Sequence, residues 1–152
     1  MQYAFAFTTD LSSEVEVTTH LRLCDDAFDP TLSSRIEIGD YACKIVGKAM
    51  RFEAWHENKL AGMVAAYCNQ VNNGCAFITS VSVLPECQGL GIASQLVLNC
   101  LCYVRKGGFQ RIELEVNNLN HNAINLYKKH GFSIVQMNGV IVLMDLEIRE
   151  VT

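Results

Sequence analysis

Residues 75–84 read Cys-Ala-Phe-Ile-Thr-Ser-Val-Ser-Val-Leu, a β-branched run that stops at Pro85 and leads into the short turn Gly89-Leu90-Gly91. Behind the turn, Leu96, Val97, Leu101 and Val104 recur at helical spacing across residues 92–106, and Gly107-Gly108 supplies a stop. Residues 111–116, Arg-Ile-Glu-Leu-Glu-Val, then alternate as a strand does. A strand, a helix and a second strand joined at this length make parallel neighbours with a right-handed crossover. The turn inside that unit also constrains chemistry. Gly89 and Gly91 have no Cβ, so the backbone can approach a ligand closely, and the first amides of the following helix have no partner within the helix. Together they form a cradle for an anion, and a pyrophosphate-bearing cofactor is the ligand such a turn suits.

The elements around this unit are hairpins and short helices. Residues 3–8 alternate as a first strand, and Asp10 or Ser12 caps a helix reaching about residue 27. Asp29-Pro30 breaks the chain, and Asp40 caps a second helix over residues 41–48 with Ile45 and Ala49 on one face. Residues 51–56 and 60–68 form a hairpin about Glu57-Asn58-Lys59, and Asn72-Asn73-Gly74 turns the chain into residues 75–84. Asn120 or Asn122 caps a short helix to His130, ended by Gly131. Residues 132–137 then pair with residues 140–149 across Asn138-Gly139. The fold class is therefore α/β (α+β): a mixed, mostly antiparallel twisted sheet of about six to seven strands with about four helices. Residues 1–152 fit one domain, large enough to bury a core without metal or disulfide support.

Composition removes several classes of function. A net charge of -4 leaves no clustered Lys and Arg for a nucleic-acid backbone, so no nucleic-acid partner is expected. The seven cysteines, at 24, 43, 68, 75, 87, 100 and 102, show no Cys-x-x-Cys or His spacing of a metal site, so no metal is expected and reduced, buried thiols account for most of them. The first residues lack the basic stretch of a secretion signal, and no apolar run approaches the roughly 20 residues of a membrane span. The chain reads as cytoplasmic, with no membrane partner.

Two short elements carry a resemblance. Gln88-Gly89-Leu90-Gly91-Ile92-Ala93 resembles the Gln/Arg-x-x-Gly-x-Gly/Ala signature of the GNAT superfamily, whose members transfer acyl groups from coenzyme A to amines. Residues 120–132, Asn-His-Asn-Ala-Ile-Asn-Leu-Tyr-Lys-Lys-His-Gly-Phe, resemble the second GNAT element, Asn-x-x-Ala-x-x-Leu-Tyr-x-x-x-Gly-Phe, at every defining position. A dinucleotide-binding fold would need the glycine turn in its first βαβ unit and an acidic residue about 20 residues on. Here a meander precedes the turn and a second signature follows it.

The resemblance implies acetyl-CoA as cosubstrate, held in a cleft where the strands before and after the glycine-loop helix splay apart. Backbone groups of Val81, Ser82 and Val83 would pair with pantetheine, and amides from Gln88, Gly89, Leu90, Gly91, Ile92, Ala93 and Ser94 would hold the pyrophosphate. Many relatives carry Arg or Lys in this loop, whereas Gln88 and Leu90 are neutral; Arg105, Lys128 and Lys129 are candidate cationic helpers. Asn120 and Asn122 would contact the cofactor, although capping alone explains an Asn at this position. Tyr127 would be the general acid, because the departing thiolate needs a proton; the alternative is a tyrosine that only packs beside the cofactor.

The base is less defined. Many relatives place a Glu at the start of the strand before the glycine loop, where this chain has Ala76-Phe77-Ile78. Glu115 matches a Glu used in some protein N-terminal acetyltransferases, and it would need burial or a relaying water to deprotonate an ammonium. Glu113 and Glu115 also fit a solvated strand face. His56 is a second candidate, while His121 and His130 read as helix-end residues. Asp25, Asp26, Asp29 and Glu37 could attract a cationic amine or be solvated. The leading expectation is an N-acetyltransferase acting on a small-molecule primary amine, an amino sugar among them, by direct attack in a ternary complex. A protein N-terminus or lysine as acceptor, and a non-catalytic acyl-CoA sensor, are the alternatives. The resemblance also allows a homodimer through the last strands.

Overall fold

The central unit forms as read in the computed structural model, which describes residues 4–28, 30–68 and 74–148. Tyr3, Asp29, the Asn72-Asn73 part of a turn and Arg149 lie outside the described residues. Strand β4 (Cys75–Val83) runs into helix α3 (Ile92–Lys106) and returns as β5 (Arg111–Asn117), parallel to β4. The other strands are β1 (Ala6–Thr9), β2 (Met50–His56), β3 (Lys59–Tyr67), β6 (Ser133–Asn138) and β7 (Ile141–Glu147). Their order across the sheet is β1-β2-β3-β4-β5-β7-β6, and every pair except β4–β5 is antiparallel. The final hairpin thus folds back so that β7, not β6, takes the place beside β5.

Helices cover both faces. On one, α3 lays Leu96, Val97, Cys100, Leu101 and Val104 against Val64, Ala66, Ala76 and Ile78, and α4 (His121–Lys129) adds Ile124 and Tyr127. On the other, α1 (Glu14–Cys24) and α2 (Ile38–Lys48) place Val17, Leu21, Ile38, Ala42 and Ile45 against Leu60, Met63 and Ala65. Strand β3 is therefore buried on both faces, which explains an apolar run without polar alternation. Its Gly62 marks the closest approach: a Cβ there would stand 2.7 Å from Ile92 Cγ2.

Several boundaries differ from the sequence expectation, each for a local reason. Helix α1 starts at Glu14 under a capping box of Ser13 and Glu16, not under Asp10 or Ser12, because those two are used elsewhere. It ends at Cys24, and a 3-10 turn continues over Asp25–Ala27. Helix α2 begins three residues early because the Glu37 carboxylate accepts from the Asp40 amide at 2.6 Å, so Asp40 is not the cap. Asn120, not Asn122, caps α4, its Oδ1 accepting from Ala123 N at 3.2 Å. The β6–β7 turn is Gly139-Val140, since Asn138 already pairs with Ile141 and Gly139 takes φ 62°. The β2–β3 turn is Glu57-Asn58, both residues at positive φ, the backbone of a two-residue hairpin loop.

Buried polar groups tie α1 to the sheet. Glu53, fully buried on β2, accepts from Thr8 Oγ1 at 2.7 Å, Leu11 N at 2.8 Å, Ser12 N at 2.9 Å and the Ser12 hydroxyl. Arg51 lies 3.5 Å away and donates to Ser12 Oγ and Ser12 O, while its own amide donates to Asp10 Oδ1. His20, also buried, has Nδ1 3.0 Å from the Leu60 carbonyl and Nε2 2.8 Å from Ser82 Oγ. A carbonyl only accepts, so Nδ1 carries the proton and Nε2 accepts from the Ser82 hydroxyl.

Removing Glu53 strands Arg51 and two loop amides in the interior. Glu53→Ala is expected to lower the unfolding free energy by about 3–5 kcal/mol in urea titrations, and a loss below about 1 kcal/mol would contradict the network's role. Burial lowers the His20 pKa from 6.5 to about 4. The unfolded chain takes up that proton as pH falls below 6.5 and the native state resists it down to about 4. The neutral imidazole's contribution is thus fully present above the upper value and lost toward the lower one. Wild type should lose about 3 kcal/mol more across that window than His20→Asn, and equal pH slopes in the two proteins would refute the assignment.

Candidate functional site

Strands β4 and β5 part before either ends. Their ladder runs from Cys75↔Arg111 to Ile78↔Leu114, yet β4 continues to Val83 and β5 to Asn117. Beyond the last pair, β4 stays with β3 as far as Gly62↔Val83, and β5 stays with β7 as far as Asn117↔Ile141. The cause is a bulge. Pairing with β3 jumps from Ala65↔Ser80 to Ala66↔Ile78, which leaves Thr79 as an extra residue and turns β4 away from β5. From α2, the Tyr41 hydroxyl donates to the Thr79 carbonyl at 2.7 Å and meets Thr79 Oγ1 at 2.7 Å. The wedge therefore has one wall of unpaired β4 backbone over residues 79–83. Val81 and Val83 pack their side chains toward α3, and the Ser82 hydroxyl is held by His20, so these three residues offer backbone alone to the opening.

The wedge leads to the glycine turn. After the 3-10 turn Pro85–Cys87, Gly89 and Gly91 both take φ 80°, and no atom lies within 4 Å of a Cβ placed on either. Glycine is needed here for backbone conformation, not for space. Gly91 is the N-cap of α3 and contributes no side-chain cap, so the amides of Ile92, Ala93 and Ser94 remain for an outside acceptor. Gln88 and Leu90 are exposed beside them, while the Ile92 side chain is buried beneath α3. Arg105 is no helper: it sits in the last turn of α3, about 20 Å from the cradle along the helix. His130 does more than end α4, since its Nε2 lies 3.0 Å from Ser94 Oγ and ties α4 to the cradle, with Lys128 and Lys129 adjacent in the chain.

The far wall comes from β5 and α4. Asn120 spends its Oδ1 on capping, and Asn122 is exposed in the first turn of α4. Asn118, which the motifs do not single out, follows β5 directly and carries a buried Oδ1 with no hydrogen-bond partner among the described residues. An orphaned acceptor at the end of the parted strand suits an amide donor of a bound pantetheine. Tyr127 is 6% exposed, stacks edge-on against Phe132 at 6.0 Å, and lies in the core with Leu114 and Val116. Burial pushes its phenol above the ordinary range, so the hydroxyl stays protonated at neutral pH.

Candidate bases sort by position. Ile112, Leu114 and Val116 face α3 and α4, so Glu113 and Glu115 point to the opposite face, the side of α2. Glu113 is held by Arg111 at 2.6 Å. Glu115 is exposed one residue past the last β4–β5 pair, across the opening from Thr79. His56 stands at the β2–β3 hairpin, two strands from β4, and is outside the wedge. Asp25 accepts from Ser33 N at 2.8 Å and Glu37 caps α2, so both serve local structure; Asp29 is outside the described residues. Among the described residues no group of three or more His, Cys, Asp and Glu could hold a metal ion, and no helix is long and apolar enough to cross a membrane.

Known proteins resemble this chain in sequence or in fold. An uncharacterized N-acetyltransferase of Methanocaldococcus jannaschii is 32% identical over 105 residues, which cover 66% of this chain and 42% of that protein. The chain thus spans less than half the length of that relative. The ribosomal-protein-S18-alanine N-acetyltransferase of Escherichia coli superposes with a TM-score of 0.74 at 18% identity, covering 98% of this chain and 97% of that one. The PaiA N-acetyltransferase of Thermoplasma acidophilum, solved in complex with coenzyme A, superposes at 0.72 and 15% identity, covering 93% and 99%. At such identities the structures establish the fold alone. The model of the acetyltransferase (GNAT) family, whose cosubstrate is acetyl-CoA, matches residues 15–132, well over half of the sequence, and the chain belongs to that family.

Proposed function

We propose that this chain is an acetyl-CoA-dependent N-acetyltransferase that acts on the primary amine of a small molecule, amino sugars included, by direct attack in a ternary complex. One observation carries the reading: β4 and β5 stop pairing at the Thr79 bulge, and β4 then leads through the glycine turn to the start of α3, which has no side-chain cap. That path offers unpaired β4 backbone and then free amides, in the order that a pantetheine arm and its pyrophosphate require. Val81, Ser82 and Val83 would hold the arm through backbone groups, Asn118 Oδ1 would accept from it, and amides from Gln88 to Ser94 would hold the phosphates. Bound acetyl-CoA supplies the acetyl thioester that an amine attacks.

Two side chains then handle protons from opposite faces. Tyr127, kept protonated by burial, donates to the sulfur as the thioester opens. Glu115, at the mouth on the α2 face, takes up the proton that the acceptor ammonium gives off. The half-buried Tyr41 and Thr79, whose hydroxyls meet at 2.7 Å, give the acceptor side polar groups suited to a compact hydroxylated amine. The exposed edge strand β6, with Ile134, Val135 and Met137 at the surface, supports self-association through the last strands.

Radiolabelled acetyl transfer from acetyl-CoA to a panel of amino sugars, polyamines, amino acids and peptides tests the reading. Transfer to a small amine supports it, transfer to peptides alone moves the acceptor to protein, and binding of acetyl-CoA with no transfer to any acceptor establishes a sensor. On the active acceptor, Tyr127→Phe should lower kcat by about 100-fold while the acetyl-CoA Kd stays within about twofold; an unchanged kcat would remove Tyr127 as the acid.

A further inference from the structure

A titratable side chain stands beside the phosphate end of the cradle, where the loop itself carries no cation. Gln95 is the residue whose amide first bonds back into α3, to Gly91 O at 3.1 Å, so Ser94 belongs to the turn that faces an incoming anion. The Ser94 hydroxyl meets Nε2 of His130 at 3.0 Å. His130 closes the C-terminal end of α4 and is half-buried, and its Nδ1 has no hydrogen-bond partner among the described residues. Either ring nitrogen can therefore carry the proton. The choice matters because a hydroxyl has a single hydrogen to give. With Nε2 bare, Ser94 spends that hydrogen on the ring and offers a phosphate only its own lone pairs. With a proton on Nε2 the bond reverses: the ring donates to Ser94 Oγ, and the hydroxyl hydrogen is released for a phosphate oxygen.

The charges around the ring decide which state prevails. Lys128 and Lys129 precede it on α4, and the start of α3 is the positive end of that helix dipole. The first turn of α3 and loop residues 88–91 carry no titratable side chain, Glu86 lies in the 3-10 turn ahead of them, and β7 meets the neighbouring Gly131 with Leu146. Partial burial and then Lys129 hold the imidazole below its ordinary value of 6.5, so without an anion beside it the ring is neutral at neutral pH.

We propose that His130 is the cation this cradle brings to its cofactor: it takes a proton on Nε2 as a pyrophosphate binds, donates to Ser94 Oγ, and turns the Ser94 hydroxyl onto a phosphate oxygen. The inference rests on the coenzyme A reading above and makes His130 a positioning residue that acts through Ser94. The proton comes from solvent, and no bond of the ligand changes. The negative charge of the pyrophosphate offsets the two lysines and raises the affinity of the ring for its proton. By linkage the proton raises the affinity of the protein for the anion by the same factor. That added affinity is present at low pH and is lost as pH rises past the ring's value in the complex.

The probe is dephospho-coenzyme A, whose pyrophosphate does not titrate in the neutral range, with pantetheine as the control that lacks phosphate. Histidine side-chain NMR of the full chain, with the His130 signal assigned by its loss in His130→Gln, should show the ring titrating at higher pH with the probe bound and at unchanged pH with pantetheine. By calorimetry the wild-type Kd for the probe should tighten about fivefold from pH 8 to pH 6. The change should be less than about twofold in H130Q, whose amide donates at every pH, and in S94A, which has no hydroxyl to turn. A His130 titration that the probe leaves in place, or a wild-type pH slope no steeper than those of the variants, overturns the role of His130 and spares the coenzyme A reading. Failure to bind either coenzyme A or its dephospho form overturns both.

Discussion

The early end of the β4–β5 ladder is the constraint on which the site depends. Parallel strands joined through a helix would ordinarily pair along their full length, and a sheet closed there would leave no route to the start of α3. The extra residue at Thr79 prevents this by rotating β4 away after Ile78. Tyr41 then secures the bulge from the α2 side, and β7 keeps β5 straight on the other. Each strand retains one partner, so the wedge opens without leaving either strand unsupported. The bulge also shifts the alternation of β4, which puts Val81 and Val83 against α3 and turns Ser80 and Ser82 toward α1 and α2.

That shift makes the helices on the second face part of the site's construction. His20 reaches from α1 to the hydroxyl that the shifted alternation delivers, and its other nitrogen binds the Leu60 carbonyl on β3. Glu53 anchors the loop ahead of α1 through both carboxylate oxygens, so the helix cannot slide along the sheet without breaking several buried hydrogen bonds. Apolar packing sets how close α1 and α2 sit; these polar contacts set where along the strands they sit.

How much of this could be read from residues alone depended on range. Helix α3 begins and ends where the sequence places it because both punctuation marks, Gly91 and Gly107, act within the helix's own turns. The parallel pairing follows from the crossover, and the last hairpin from a glycine turn, although its place beside β5 does not. Glu53 and Arg51 were not legible as a buried network. Two polar residues at alternate positions look the same whether that face meets water or a loop from residues 10–12, and only the tertiary fold decides. Thr79 is equally silent, since nothing in Ile-Thr-Ser-Val announces a bulge. Asn118 and Tyr41 were missed for a related reason: their importance comes from what the parted strands leave near them.

The proposed phosphate cradle would bind on terms set by this geometry. No Arg or Lys lies between Pro85 and Ile92, so within the loop itself the proposed hold on a pyrophosphate would fall to backbone amides and the dipole of α3. Partial charges act at short range and demand fixed directions, whereas a lysine can follow its phosphate. The two glycines at φ 80° supply that direction, and the buried Ile92 and Leu96 side chains against Gly62 hold the first turn of α3 at a set height above β3. His130 adds a restraint from α4 through Ser94. A loop without cations would thus shift the burden of recognition from charge to rigidity, and the Gly62–Ile92 approach, at the first residue of α3, would bear on how a phosphate end is held.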